Sequence, residues 1–266
     1  METQQLEATT LYDLTFLDAP HAPVDASDPT YLVLLNRKIK KELFLFMHEK
    51  ITYLICTDGA ANHLYDIMAD EKERQVVYTD IIGDFDSIRD DVKEFYTAQG
   101  VQMLNITDQD TTDFEKAIQY IAKKEKKTEK KPYRIFAMGA FGGRVDQSLS
   151  AIHVMVKYTH ELGVQISLMD KNSLMLLLKA GKSKVKISKC LTKLKGCGFF
   201  PISERVEHIQ TQGLKWNMGN RDCQVQSIDW KQSISSSNEI TADEDIDVKV
   251  TNDVIFVSSI NDHPSR

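Results

Sequence analysis

Between residues 31 and 168, short apolar runs alternate with helical patterns. The runs at 31–35, 52–56, 101–106 and 134–138, with Ile81-Ile82 between them, read as strands. Helical patterns fill the gaps at 38–49, after Asp58 and after Ser87. A fourth helix puts Phe114, Ala117, Ile118 and Ile121 on one face at i, i+3, i+4, i+7 spacing. A fifth, long helix carries Val145, Leu149, Ile152 and Val156 on its expected buried face. Such alternation predicts a mostly parallel sheet with helices on both faces. From about residue 164 the helical patterns stop. Alternating segments at 164–169, 173–178, 184–187 and 196–200, split by turns such as Lys179-Ala180-Gly181, predict an all-β sandwich or barrel over 169–266. Residues 1–30, polar and holding Pro20, Pro23 and Pro29, read as an extended arm. The lysine-rich run 123–131 reads as a solvated helix end and the acidic stretch 238–247 as a loop.

A net charge of −6 argues against a nucleic-acid groove, which needs a basic surface. The same charge repels any phosphate-bearing ligand unless a divalent metal or placed basic groups reverse the local sign. No apolar run reaches membrane-spanning length, and the N-terminus lacks the basic start and apolar core of a signal peptide. Cys56, Cys190, Cys197 and Cys223 form no CxxC pair, which predicts reduced thiols in the cytoplasm and no structural zinc.

In open parallel sheets ligands bind outside the carboxyl ends of the strands. Four polar motifs fall at such ends here. Thr57-Asp58-Gly59-Ala60 follows the second strand, and Gly83-Asp84-Phe85-Asp86-Ser87 follows the third. Continued strand geometry would aim Asp84 and Asp86 the same way, at a shared cation. The alternative is a loop whose aspartates cap the next helix. Asp108-Gln109-Asp110-Thr111-Thr112-Asp113 opens the fourth helix, and its spacing puts Asp110 and Asp113 near one helical face. Gly139-Ala140-Phe141-Gly142-Gly143-Arg144-Val145-Asp146-Gln147 opens the fifth. Its glycines free the backbone, its helix start offers N–H groups to an anion, and Arg144 adds positive charge. It is not a Walker A loop, because the GK[ST] ending is absent. Acids for a metal, with glycines and an arginine for phosphates, suit phosphoryl transfer.

In order and spacing these motifs resemble the eukaryotic thiamine pyrophosphokinases. The likeness rests on Asp58-Gly59 with Asn62 and Leu64-Tyr65-Asp66, on Gly83 through Arg89, and on Asp108-Gln109-Asp110 with Thr112-Asp113-Phe114. It continues through Gly143-Arg144 with Asp146-Gln147, Gly213 through Asn217, and Ser235 through Asn238. Ala60 stands where the family usually has a second glycine, and the stretch 217–235 is longer than is typical. The resemblance implies a Rossmann-like α/β catalytic domain at 31–168 and an all-β thiamine-binding domain. It implies pyrophosphoryl transfer from ATP to thiamine, giving thiamine diphosphate and AMP, in a homodimer whose active site joins one subunit's α/β domain to the other's β domain. Asp84, Asp86 and Asp58 would hold Mg²⁺, with Asp113 completing the catalytic acids. Gln109, Asp110, Thr112, Gly143, Arg144, Asp146 and Gln147 would contact the nucleotide, and Trp216, Ser235 and Asn238 the thiamine.

Two other classes use similar parts. A nucleotide-sugar glycosyltransferase also places a DxD pair after a strand, but leaves the third motif and the β domain unexplained. A non-catalytic thiamine or nucleotide sensor predicts loss of one or more acids, and all are present.

Overall fold

The computed structural model describes residues 8–18, 28–68, 79–128, 133–189, 196–202, 204–219, 226–241 and 245–260. The chain divides into two compact units, one of His21–Asn172 and one of Met1–Pro20 with Ser173–Asn261. The first strand, β1 (Thr9–Asp13), belongs to the second of these.

The α/β unit alternates β2 (Thr30–Leu34), α1 (Lys41–His48), β3 (Tyr53–Thr57), α2 (Ala60–Ile67), β4 (Thr79–Gly83) and α3 (Asp90–Ala98). It continues through β5 (Gln102–Asn105), α4 (Asp113–Thr128), β6 (Arg134–Met138), α5 (Val145–Leu162) and β7 (Gln165–Met169). All neighbouring strands pair in parallel, in the order β7-β6-β2-β3-β4-β5. Strands β2 and β6 are read as continuous apolar runs because helices cover a parallel sheet on both faces. Every residue of β2 is buried. The chain winds outward from β2 to β5, then returns beside β2 as β6. The order reverses between β2 and β6, and the crevice at that switch point is where open α/β sheets bind ligands.

Helix α4 buries Phe114, Ala117, Ile118 and Ile121, the face its spacing predicts. Each large apolar side chain there contributes about 1.5–3 kcal/mol of burial. Helix α5 differs from expectation. Its buried positions are Ala151, Val154, Met155, Tyr158 and Thr159, whereas Val145 is 72% and Leu149 61% exposed. The first buried position is Ala151, so the opening turns stand clear of the sheet and the helix packs through a rotated stripe.

The β unit comprises β1 with β8 (Ser173–Leu178), β9 (Gly181–Lys186), β10 (Gly196–Pro201), β11 (Ile209–Gln212), β12 (Ser235–Glu239), β13 (Ile246–Val250) and β14 (Val254–Ser259). One sheet runs β1-β9-β13-β11, and another set runs β12-β10-β14-β8. Alternating burial along β9, β11 and β13 gives the first sheet one covered face. All these pairings are antiparallel except β1 with β9. The expected arm therefore begins as a strand, anchored by buried Tyr12. Its three prolines follow that strand, and Pro20 and Pro23 lie outside the described residues. Strand β7 extends the parallel sheet beside β6. Among the described residues no helix is long and apolar enough to cross a membrane.

Candidate active site

The acid site grows from the carboxyl ends of β3, β4 and the turn before α4. Asp58 follows β3 with a left-handed φ of 38°, and its N–H donates to the Ile82 carbonyl at 2.8 Å. Its two carboxylate oxygens accept the N–H groups of Ser87 at 3.0 Å and Ile88 at 3.1 Å. Gly83 makes this approach possible, because a Cβ there would lie 2.7 Å from Asp58 Cβ. Burial, reinforced by Asp86 and Asp113 and opposed by the Ser87 N–H, pushes the Asp58 carboxyl up to about 6.

Carboxylate oxygens of Asp58, Asp84 and Asp113 all lie within 4.8 Å of one another. A Gln109 amide hydrogen bond of 3.2 Å holds the half-buried Asp84 below the usual carboxylate range. Asp113 starts α4 and accepts the Lys116 ammonium at 3.0 Å, a side chain only 4% exposed. Three carboxylates and one ammonium leave a formal charge of −3 + 1 = −2, which one divalent cation neutralises. Oxygen donors at this spacing fit a hard cation such as Mg²⁺.

Asp86 lies beside this group and is not one of the three. Strand β4 ends at Gly83, and Phe85 turns left-handed at φ 63°, so the two acids do not follow one pleat. Asp86 is exposed and accepts the Ser87 hydroxyl at 2.7 Å. Asp110 is also outside the group, because α4 begins only at Asp113. It sits in a turn whose N–H donates to Asp108 at 3.0 Å. Thr112 forms a reciprocal cap with Glu115: Thr112 Oγ1 accepts the Glu115 N–H and Glu115 Oε2 accepts the Thr112 N–H, both at 3.2 Å.

Three further residues hold the acidic loop against α2. Asn62 bridges it, donating to the Ser87 carbonyl at 2.8 Å and accepting the Arg89 N–H at 2.9 Å. Arg89 in turn forms two hydrogen bonds with Asp66, at 2.8 and 3.0 Å. These motif residues therefore position the loop rather than line the acid group.

A cavity of about 280 Å³ opens at the switch point, lined by Asn36, Arg37, Thr112, Asp113, Gly139 and Gln147 among others. Asp113 thus belongs to both cavity and acid group. Gly139, Gly142 and Gly143 take left-handed φ of 87°, 91° and 66° in the loop from β6 to α5. Arg144 and Asp146 pair at 2.5 and 3.1 Å on the surface, each more than 60% exposed. Arg37, which sequence reasoning missed, reaches the same loop and donates to Gln147 Oε1 at 2.8 Å. Its place directly after a central strand was the available signal.

In the β unit, Asn238 is buried and ties down Trp216. Its amide donates to the Trp216 carbonyl at 2.8 Å, and its Oδ1 accepts the Trp216 N–H at 3.3 Å. Trp216 itself is 51% exposed, with Lys215 Nζ 4.4 Å from its ring centroid. Ser235 opens β12, whose pairing with β10 is irregular between Cys197 and Phe199, and Ser237 takes φ 61°. A Cβ at Gly198 would lie 2.7 Å from the Ser235 carbonyl, so glycine permits this close pairing. Ser236, Ser237 and Asn238 line a cavity of about 680 Å³ with Gly196, Gly198 and Phe200.

The family described as "Thiamin pyrophosphokinase, catalytic domain" matches residues 45–168, and "Thiamin pyrophosphokinase, vitamin B1 binding domain" matches residues 182–255. Thiamine pyrophosphokinase 1 of Oryza sativa subsp. japonica is 30% identical over 91% of this chain and 92% of its own length. Thiamine pyrophosphokinase 2 of Arabidopsis thaliana is 32% identical over 86% of this chain and 85% of its own. Thiamin pyrophosphokinase from Candida albicans shares the fold, with a TM-score of 0.82 at 23% identity over 95% of this chain and 93% of its own. Neither the glycosyltransferase nor the sensor reading gains support from these matches. Both halves of the chain, the acid-bearing sheet and the β unit, are covered by matches to one family, and the chain belongs to the thiamine pyrophosphokinases.

Proposed function

We propose that the chain transfers the pyrophosphoryl group of ATP to the hydroxyl of thiamine, with Mg²⁺ held by Asp58, Asp84 and Asp113. The grouping of those three carboxylates at adjoining strand ends carries the reading. In the reaction the thiamine hydroxyl oxygen bonds to the β-phosphorus and the bridge to the α-phosphate breaks. AMP leaves with the bridging oxygen, and the hydroxyl proton passes to a carboxylate of the acid group. Bound there, Mg²⁺ would neutralise phosphate charge and polarise the phosphoryl oxygens. The protein's own groups do the positioning. The Ser87 and Ile88 N–H groups fix Asp58, Gln109 orients Asp84, and Lys116 anchors Asp113. Gln147 and the start of α5 face the nucleotide side, with the Arg144–Asp146 pair and Gly143 in the loop before them. Asp86 sits next to the metal set as an outer acid, and Asp110 and Thr112 shape the turn that presents Asp113.

Trp216, Ser235 and Asn238 form the thiamine side. A cationic thiazolium ring suits an aromatic face. Lys215, tied to Glu239 at 2.9 Å, shows that the Trp216 face already accepts a cation. The chain acts as a homodimer in which the α/β unit of one subunit is completed by the β unit of its partner. It works in the cytoplasm, in keeping with the free thiols of Cys56 and Cys197; Cys190 and Cys223 lie outside the described residues.

Metal binding has a defined pH dependence. The Asp58 carboxyl is raised from 3.8 to about 6, so the metal-free fold favours its protonated form. That contribution is fully present below about pH 4 and is lost as pH rises through 6. Mg²⁺ needs the ionised form, so protons compete with it. Thermal melts should show a clear Mg²⁺-induced rise in Tm at pH 8 that shrinks sharply at pH 5. An equal shift at both values would contradict this assignment of Asp58.

Shared active sites are tested by co-expressing two damaged subunits, Asp84→Asn and Trp216→Ala, under separate tags. Each alone should be impaired, Trp216→Ala mainly through a higher KM for thiamine. A hybrid dimer carries both lesions in one site and none in the other, so the mixture should regain up to about a quarter of wild-type turnover. Purified hybrids with no regained activity would overturn the shared-site reading.

A further inference from the structure

We infer that Arg37 is a phosphate-binding residue of the nucleotide site. The inference deepens the pyrophosphokinase reading and rests on it; the catalytic-domain match begins only at residue 45. Arg37 follows β2 and faces the loop after β6, the two strands that flank the switch point. Its Nη2 donates to Gln147 Oε1 at 2.8 Å and to the Arg144 carbonyl at 3.4 Å. No other side-chain hydrogen bond of Arg37 is formed among the described residues, so Nε and Nη1 keep donors for a ligand. The guanidinium lies over Gly143, where a Cβ would collide with Nη1. Glycine at 143 thus makes room for the arginine.

Charge separates Arg37 from the more obvious Arg144. Arg144 is neutralised by its two hydrogen bonds to Asp146 and is 72% exposed. Arg37 is half-buried, lines the 280 Å³ cavity, and has no carboxylate partner among the described residues. The same cavity is lined by Asp113, one of the three clustered acids. A polyphosphate attached to metal at that cluster meets carboxylates on one side and needs a cation on another. Arg37 supplies it, in fork geometry suited to phosphate oxygens. It is braced for the task by Gln147, whose side-chain oxygen orients the fork.

Two substitutions separate charge from bracing. Arg37→Gln keeps an amide donor for the loop and removes the charge; Arg37→Lys keeps the charge and loses the fork. Titration calorimetry of ATP and AMP with Mg²⁺ is the readout, with melting curves of each free protein to confirm folding. Arg37→Gln should weaken ATP binding by about tenfold or more and AMP binding much less, since the two ligands differ only in phosphates. Arg37→Lys should lose less than Arg37→Gln, and the KM for thiamine should stay unchanged in both. Equal losses for ATP and AMP, or equal losses in the two variants, would reduce Arg37 to a loop brace and overturn the inference. Wild-type protein that binds no ATP would sink the pyrophosphokinase reading and this inference together. Wild-type binding with unaltered variants would sink this inference alone.

Discussion

Asp84→Asn is expected to cut turnover on the order of 10³-fold while leaving the fold intact. Asp84 is half-buried and is the clustered acid whose ionised form the Gln109 amide favours. An amide in its place keeps the shape and removes the charge a divalent cation needs. Without metal the cost is small: the ionised carboxylate is favoured in the fold mainly by the Gln109 amide, which can still donate to the side-chain oxygen of an Asn. The melting temperature without Mg²⁺ should therefore stay close to or slightly below that of the wild type, and the Mg²⁺-induced rise should be lost. Steady-state kinetics and paired melting curves check both halves. Full activity in folded Asp84→Asn protein would remove Asp84 from the site.

Gly83→Ala, by contrast, should damage fold and activity together. The new methyl would sit 2.7 Å from Asp58 Cβ, closer than carbon atoms tolerate. Asp58 cannot yield easily, since its N–H is held by Ile82 and its carboxylate by two backbone N–H groups. Overpacking of this kind costs about 1–3 kcal/mol. Relief by moving Asp58 would pull one ligand out of the acid group, so turnover should fall even under conditions where the protein stays folded. Denaturant melts and activity measured on the same preparation test this. A variant with wild-type stability would show that the β3–β4 contact is looser than the 2.7 Å approach implies.

The parallel sheet was legible because buried strands such as β2 and β6 are apolar from their second residue onward. The buried face of α4 was legible for the same reason at helical spacing. Helix α5 was not, because apolar residues occur on more than one of its faces and only packing selects among them. Strand β1 was hidden by its brevity: a single buried residue, Tyr12, fixes it. The acid site was read as a set of motifs, but its membership depended on local backbone. Where β4 stops and Phe85 turns left-handed decides that Asp113 joins Asp58 and Asp84 while Asp86 stays outside. Arg37 stands among Lys38, Lys40 and Lys41, so in sequence it reads as one more charge before a helix. Only the pairing of β2 with β6, which closes a gap of about a hundred residues, brings it to the Gly143 loop.

The central claim is most directly tested by product analysis with purified protein, ATP and Mg²⁺, in the presence and absence of thiamine. The account predicts AMP that appears only with thiamine, matched mole for mole by thiamine diphosphate. ADP as the product, or AMP formed equally without thiamine, would contradict it.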